Sequence, residues 1–185
     1  MIAETFYTIV TLFFSYLFLV SGVQKFQDHL RFQGVVTNYQ VLPEALSPGV
    51  ARVLPILEIA CGLALLVPGI QNLALGAVLI LLLAYTFGIA INVYRGRTHI
   101  DCGCGAASKP QLLNKELLLR NSLLSLAVLA ALSIKNTMAI ENTLPMLWAP
   151  WLVSLLAAVF LSMAYHVFNQ LSANNDLIER GEQHG

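Results

Sequence analysis

Charge is what this chain has least of. Lys, Arg, Asp and Glu together make up 11% of its 185 residues, against about 25% in an ordinary soluble domain. That leaves too little polar surface for a fold of this size to stay in water. Ten basic residues balance ten acidic ones, so there is no basic excess to attract nucleic acid. Internal repeats, low-complexity tracts and a stretch able to form a soluble domain are all missing. Cysteine is scarce: there are three, with no second pair to complete a structural zinc site.

What fills the chain instead is hydrophobic. Apolar residues reach 57% and the mean hydropathy is +0.72, in long runs rather than at amphipathic spacing, which makes lipid the solvent. Five runs qualify as spans: Phe6 to Val23, Val50 to Val67, Leu73 to Val93, Leu117 to Ile134 and Met146 to Phe168. Each is close to the roughly 20 residues that cross a hydrocarbon core. The expectation is an all-α, polytopic membrane helix bundle with about five transmembrane helices. One domain covers 1–168, and a polar, mobile C-terminal tail covers 169–185. The first run lacks a basic n-region, Glu4 being its only early charge, and has no small-residue cleavage site before Gln24-Lys25, so it reads as a retained helix rather than a signal peptide.

The connections differ in size. Pro68-Gly69 marks a tight reversal. Between the first two spans, Phe26, Leu30, Phe32, Val36 and Tyr39 interleave with Asp28, His29, Arg31 and Asn38, a pattern that suits a helix lying in the interface. Pro43 and Pro48 break the chain before it re-enters the bilayer. Trp148 and Trp151 suit an aromatic belt at the far surface, and Tyr165 and His166 suit interfacial anchors at the near one.

One polar stretch stands out, Asp101-Cys102-Gly103-Cys104-Gly105, between the third and fourth spans. Cys-Gly-Cys is one residue shorter than a thioredoxin-type pair. A disulfide closed across one residue distorts its local geometry, and a strained bridge is the more oxidising; Gly103 supplies the backbone freedom that such a ring needs. Arg95 and Arg97 at the end of the third span and Arg120 in the fourth bracket the loop, and cationic neighbours favour thiolate. Two other readings stand beside redox chemistry: metal ligation by the cysteines with His99 and Asp101, and two incidental thiols in a turn.

Glu58 is the second anomaly. It lies roughly 10 Å inward from the end that carries the cysteine loop, where an ionisable group costs about 2.5–3.5 kcal/mol on insertion scales. It is either a proton relay for thiol chemistry or a packing group paired with Arg52, Arg120 or another helix. Cys61, at i+3 on the same face, reads as a small core residue rather than a third redox thiol. Asn92 and Asn121 are expected to bond to each other or to Glu58.

With five spans, the cysteine loop shares its side with Lys25, Arg31, Arg52, Arg95, Arg97, Lys109, Lys115, Arg120 and Arg180, and only Lys135 falls opposite. The positive-inside rule makes that side cytoplasmic. If several of these arginines serve the thiols instead, the count loses its meaning for topology.

Several pieces together resemble the MauE family of methylamine utilisation membrane proteins, within the wider DoxX-like group. They are Ser21-Gly22-Val23-Gln24-Lys25-Phe26, Asn38-Tyr39 with Leu42-Pro43, and Pro55 and Glu58 with Gly62. Asn92-Val93-Tyr94-Arg95-Gly96-Arg97, the cysteine loop and Arg120-Asn121 follow in order. Gly105 departs from the aromatic residue that relatives often carry after the second cysteine.

The resemblance implies a bacterial inner-membrane protein that matures, processes or exports the small (beta) subunit of methylamine dehydrogenase. It further implies a periplasmic thioredoxin-like partner, MauD, and hence a cysteine loop facing the periplasm, against the charge count. On that reading Cys102 and Cys104 carry thiol–disulfide exchange with Glu58 as proton relay, supported by Arg95, Arg97, Asp101, Arg120, Asn121 and Cys61. A membrane quinone is the electron sink the reading would draw on, though no quinone motif is readable. The alternatives are a non-catalytic assembly factor and a membrane subunit of a quinone-linked oxidoreductase.

Overall fold

The computed structural model describes residues 2–103, 112–138 and 148–183, with side chains described for 3–103, 112–135 and 152–171. Six α-helices account for nearly all of them: α1 (Ile2–Gln27), α2 (His29–Tyr39), α3 (Ser47–Ala64), α4 (Gln71–Tyr94), α5 (Lys115–Met138) and α6 (Trp148–Gln183). All but the short α2 are long and apolar enough to cross a membrane. A bilayer offers the backbone no hydrogen-bond partner, so each apolar run closes its own ladder as a helix. This is a multi-pass membrane bundle, as the hydropathy implied. Cys104, Gly105, Lys109 and Met146 lie outside the described residues, as do the side chains of Trp148, Trp151 and Arg180.

The spans alternate in direction, so α2, the described ends of the α4–α5 connection (95–103 and 112–114) and the α6 segment around Asn169 gather at one end of the bundle. α1 lies at its centre, packed on α3, α6 and α5. The α1–α3 seam is closed by small residues, the usual means by which membrane helices approach closely. A Cβ on Gly22 would stand 2.8 Å from Ile59 Cγ1 and 2.9 Å from the Pro55 carbonyl oxygen. One on Gly62 would stand 2.7 Å from Leu19 Cγ. Ser15 adds a polar tie, donating to the Gly62 carbonyl at 2.8 Å. Around this seam a core of Phe13, Phe14, Phe18, Leu65, Leu75, Val78 and Val128 is buried.

Two expectations shift, at the end of the first span and at Pro48. The first span ends at Val23 by hydropathy, but α1 continues to Gln27, because Lys25 turns into the bundle instead of outward. Pro48 does not break the chain; it occupies the first turn of α3, where a missing N–H costs nothing. Tyr165 is half-buried and packs against the core beside Phe13, ring centroids 6.2 Å apart. The residues after Phe168 continue α6 to Gln183, with Asn169 held by Arg120 at 2.6 Å. The pattern read as interfacial between the first two spans forms α2, with Phe32 and Val35 buried against the bundle.

Candidate functional site: a cysteine turn above a buried ion pair

The Asp101–Gly103 turn is built from both flanks. Asp101 pairs as an isolated antiparallel bridge with Leu112, and the Leu113 N–H donates to the Ile100 carbonyl at 3.0 Å, so the loop is clasped at its base. Asp101 Oδ1 accepts the Gly103 N–H at 3.1 Å, and Arg31 of α2 donates to Oδ2 at 2.7 Å. Gly103 has φ +70°, the left-handed region that glycine enters without penalty. It needs to be glycine for space as well, since a Cβ would lie 3.0 Å from Val35 Cγ1 and 3.4 Å from the Phe32 ring. Tyr39 hydroxyl donates to the Cys102 carbonyl at 3.3 Å. Cys102 itself is 6% exposed, packed with Ile89, Ile100, Leu113 and Leu117. The turn therefore rests on α2 as on a platform.

Beneath that platform lies the ion pair. Lys25 Nζ donates to Glu58 Oε1 at 2.6 Å, with side chains 7% and 2% exposed. Tyr85 hydroxyl donates to the same oxygen at 2.7 Å, and Ser21 hydroxyl reaches Oε2 at 3.4 Å. The Lys25 ammonium also faces the rings of Tyr85 and Phe32, at 4.5 and 5.1 Å from their centroids, both within cation–π range. The expected partners of Glu58 were Arg52, Arg120 or another helix. Another helix supplies it, through Lys25 of α1, while Arg52 is exposed and Arg120 meets α6.

The remaining candidates spread around this end. Asn92 and Asn121 do not bond to each other or to Glu58. Asn92 Nδ2 donates to the Tyr39 and Gly88 carbonyls at 3.1 and 3.0 Å, tying α4 to the end of α2. Asn121 Oδ1 accepts from Arg120 Nη2 at 3.4 Å, and the Arg120 guanidinium lies 5.3 Å from the Tyr165 centroid. Arg95 is exposed and reaches the Gln40 carbonyl at 3.3 Å, whereas Arg97 is half-buried and its N–H bonds the Asn92 carbonyl. Cys61 is half-buried against the main core, a turn deeper than Glu58. His99 is exposed, and among the described residues no group of three or more His, Cys, Asp and Glu comes together as a metal site.

Residue reading missed Lys25, Tyr85, Arg31, Phe32 and Tyr39 as parts of the site. One signal was available for Lys25: a lone cation at the end of an apolar run that contains Gly and Ser at helix-packing spacing.

The arrangement spans the segment that comparison picks out. A model of the family described as methylamine utilisation protein MauE matches residues 3–134, most of the chain. The chain belongs to the MauE family. Curated MauE proteins are similar over parts of their length. That of Methylophilus methylotrophus is 44% identical over 94 residues, 51% of this chain and 50% of its own. That of Paracoccus denitrificans is 41% identical over 110 residues (60% and 59%), and that of Paracoccus versutus 36% over 109 (59% and 59%). The chain thus spans about half to three-fifths of the length of these relatives. No solved structure matches it. The MauE match includes α1 to α5 up to residue 134, and so holds both the cysteine turn and the ion pair; α6 lies beyond it.

Proposed function

We propose that this MauE-family protein serves methylamine utilisation as a membrane thiol–disulfide partner, working through Cys102 and Cys104 in maturation of the methylamine dehydrogenase small (beta) subunit. The observation that carries the reading is the construction of the cysteine turn. Asp101, Gly103, Tyr39 and Arg31 are all spent on holding one short segment in place at the end of the bundle, far more than a passive connection requires. In the reaction, a partner thiolate attacks one sulfur of the Cys102–Cys104 disulfide and the S–S bond breaks. A mixed disulfide forms, and the partner's second thiolate resolves it. Two electrons pass to Cys102 and Cys104, which leave as a dithiol, and the partner leaves as a disulfide. Reoxidation returns two electrons and two protons to a membrane quinone. The natural partner is a periplasmic thioredoxin-like protein of the MauD type, which places the loop on the periplasmic face of a bacterial inner membrane.

Burial of Cys102 favours a second reading, in which the turn is a docking shape and the thiols are packing groups of an assembly factor. The double substitution Cys102→Ser, Cys104→Ser separates the two. Exchange predicts loss of small-subunit maturation with membrane insertion intact. Normal dehydrogenase activity in that strain would sink the exchange reading and leave the docking one.

A further inference from the structure

Glu58 is a costly carboxylate to bury, and the cation that answers it has a second face. Lys25 Nζ is bonded to Glu58 on one side and stands 5.1 Å from the Phe32 ring centroid on another. Phe32 is 6% exposed, and its opposite role is to floor the turn, with ring carbons 3.4 and 3.5 Å from where a Gly103 Cβ would be. Cys102 is the next residue. One line of neighbouring groups therefore runs from a carboxylate inside the bundle, through an ammonium and an aromatic ring, to the space directly beneath the turn beside the thiol.

The geometry points to Lys25 as a positioning residue for the cysteine turn: fixed by Glu58 and Tyr85, it holds the Phe32 ring, and the ring holds Gly103. Each link has a physical reason. A buried ammonium has little freedom because its carboxylate must stay paired. Its charge is strongest toward aromatic faces when water is excluded, and both Lys25 and Phe32 are buried. α2 has only Phe32 and Val35 buried along its length, so these two contacts decide how firmly the platform seats. If the seat loosens, the turn opens locally and the buried Cys102 sulfur meets solvent more often. The exchange reading gives this coupling its use, since a thiol kept buried until a partner engages is protected from stray oxidants. The coupling itself is measured on the thiol, with no dehydrogenase present.

The test is the alkylation rate of Cys102 in the reduced, full-length protein in detergent micelles, followed peptide by peptide by mass spectrometry. Phe32→Met fills the space but removes the ring face, and should accelerate alkylation roughly thirtyfold, the factor that the about 2 kcal/mol of a desolvated cation–π contact accounts for. Phe32→Tyr keeps the ring face and should react like the parent. The double variant Lys25→Met, Glu58→Gln removes the cation without stranding the carboxylate, and should match Phe32→Met. Equal rates for Phe32→Met and the parent would overturn the proposal, because packing volume alone would then hold the turn. Acceleration by Phe32→Met with none by that double variant would overturn it too. Should the double variant fail to fold, the Met and Tyr variants at position 32 still decide whether a ring face holds the turn, and equal rates there overturn the proposal. A moving alkylation rate alongside normal maturation in the double serine strain would keep the coupling and discard the exchange reading.

Discussion

Two ion pairs sit at the same end of this bundle and are almost equally short, yet they differ in how far solvent reaches them. Lys25–Glu58 measures 2.6 Å with side chains 7% and 2% exposed; Arg31–Asp101 measures 2.7 Å with 27% and 18%. Distance therefore does not distinguish them, but the dielectric around them does. The inner pair ties α1 to α3, with Tyr85 of α4 on the same carboxylate oxygen, and sits where an unpaired charge has nowhere to go. The outer pair ties α2 to a loop, and Asp101 keeps a second bond to the Gly103 N–H whatever Arg31 does. One pair is part of how the helices assemble; the other shapes a turn on a surface already assembled.

The sharpest way to break the comparison is to remove one partner of each pair. Lys25→Met leaves Glu58 buried without its cation and should cost about 3–5 kcal/mol of stability, read as thermal unfolding in detergent. The double variant Lys25→Met, Glu58→Gln removes both charges and should recover most of that loss. A double variant as unstable as the single one would show that packing, not charge, is lost.

Gly103→Ala should come next, at about 1–2 kcal/mol for a left-handed backbone, with the added Cβ pressed on Val35. Its effect belongs to the turn: hydrogen exchange should quicken at residues 100–103 and 112–113 and leave the α1–α3 seam as it was. Faster exchange along α1 would mean the turn and the seam are one cooperative unit.

Arg31→Gln should be the mildest, about 0.2–1 kcal/mol. The gap between parent and variant should shrink as salt rises from about 0.1 M to about 1 M, where the screening length falls to about 3 Å. A gap indifferent to salt would assign the outer pair to the same class as the inner one.

Much of this molecule is legible in its residues alone. Long apolar runs announce membrane helices because lipid offers the backbone no other partner. Glu58 announces itself because burying a carboxylate is expensive, so its presence demands a partner. Gly103 is readable as a residue needing unusual backbone freedom, and it lies in the left-handed region. The identity of the partner of Glu58 is not readable. Arg52 lies nearby on the same helix, yet Lys25, 33 residues distant, takes the place. That choice depends on how closely Gly22 and Gly62 let α1 and α3 approach, and on α2 folding back over both.

The amino-acid sequence by itself determined the solvent, the number of the spans, the position of the thiol pair and membership of the MauE family. Each of these depends on local composition or on residue order. Only the tertiary structure decided that a lysine inside the bundle, a ring on α2 and a glycine beside Cys102 stand in one line. Such contacts join residues far apart in the chain, and helix packing, rather than local preference, sets which of them meet.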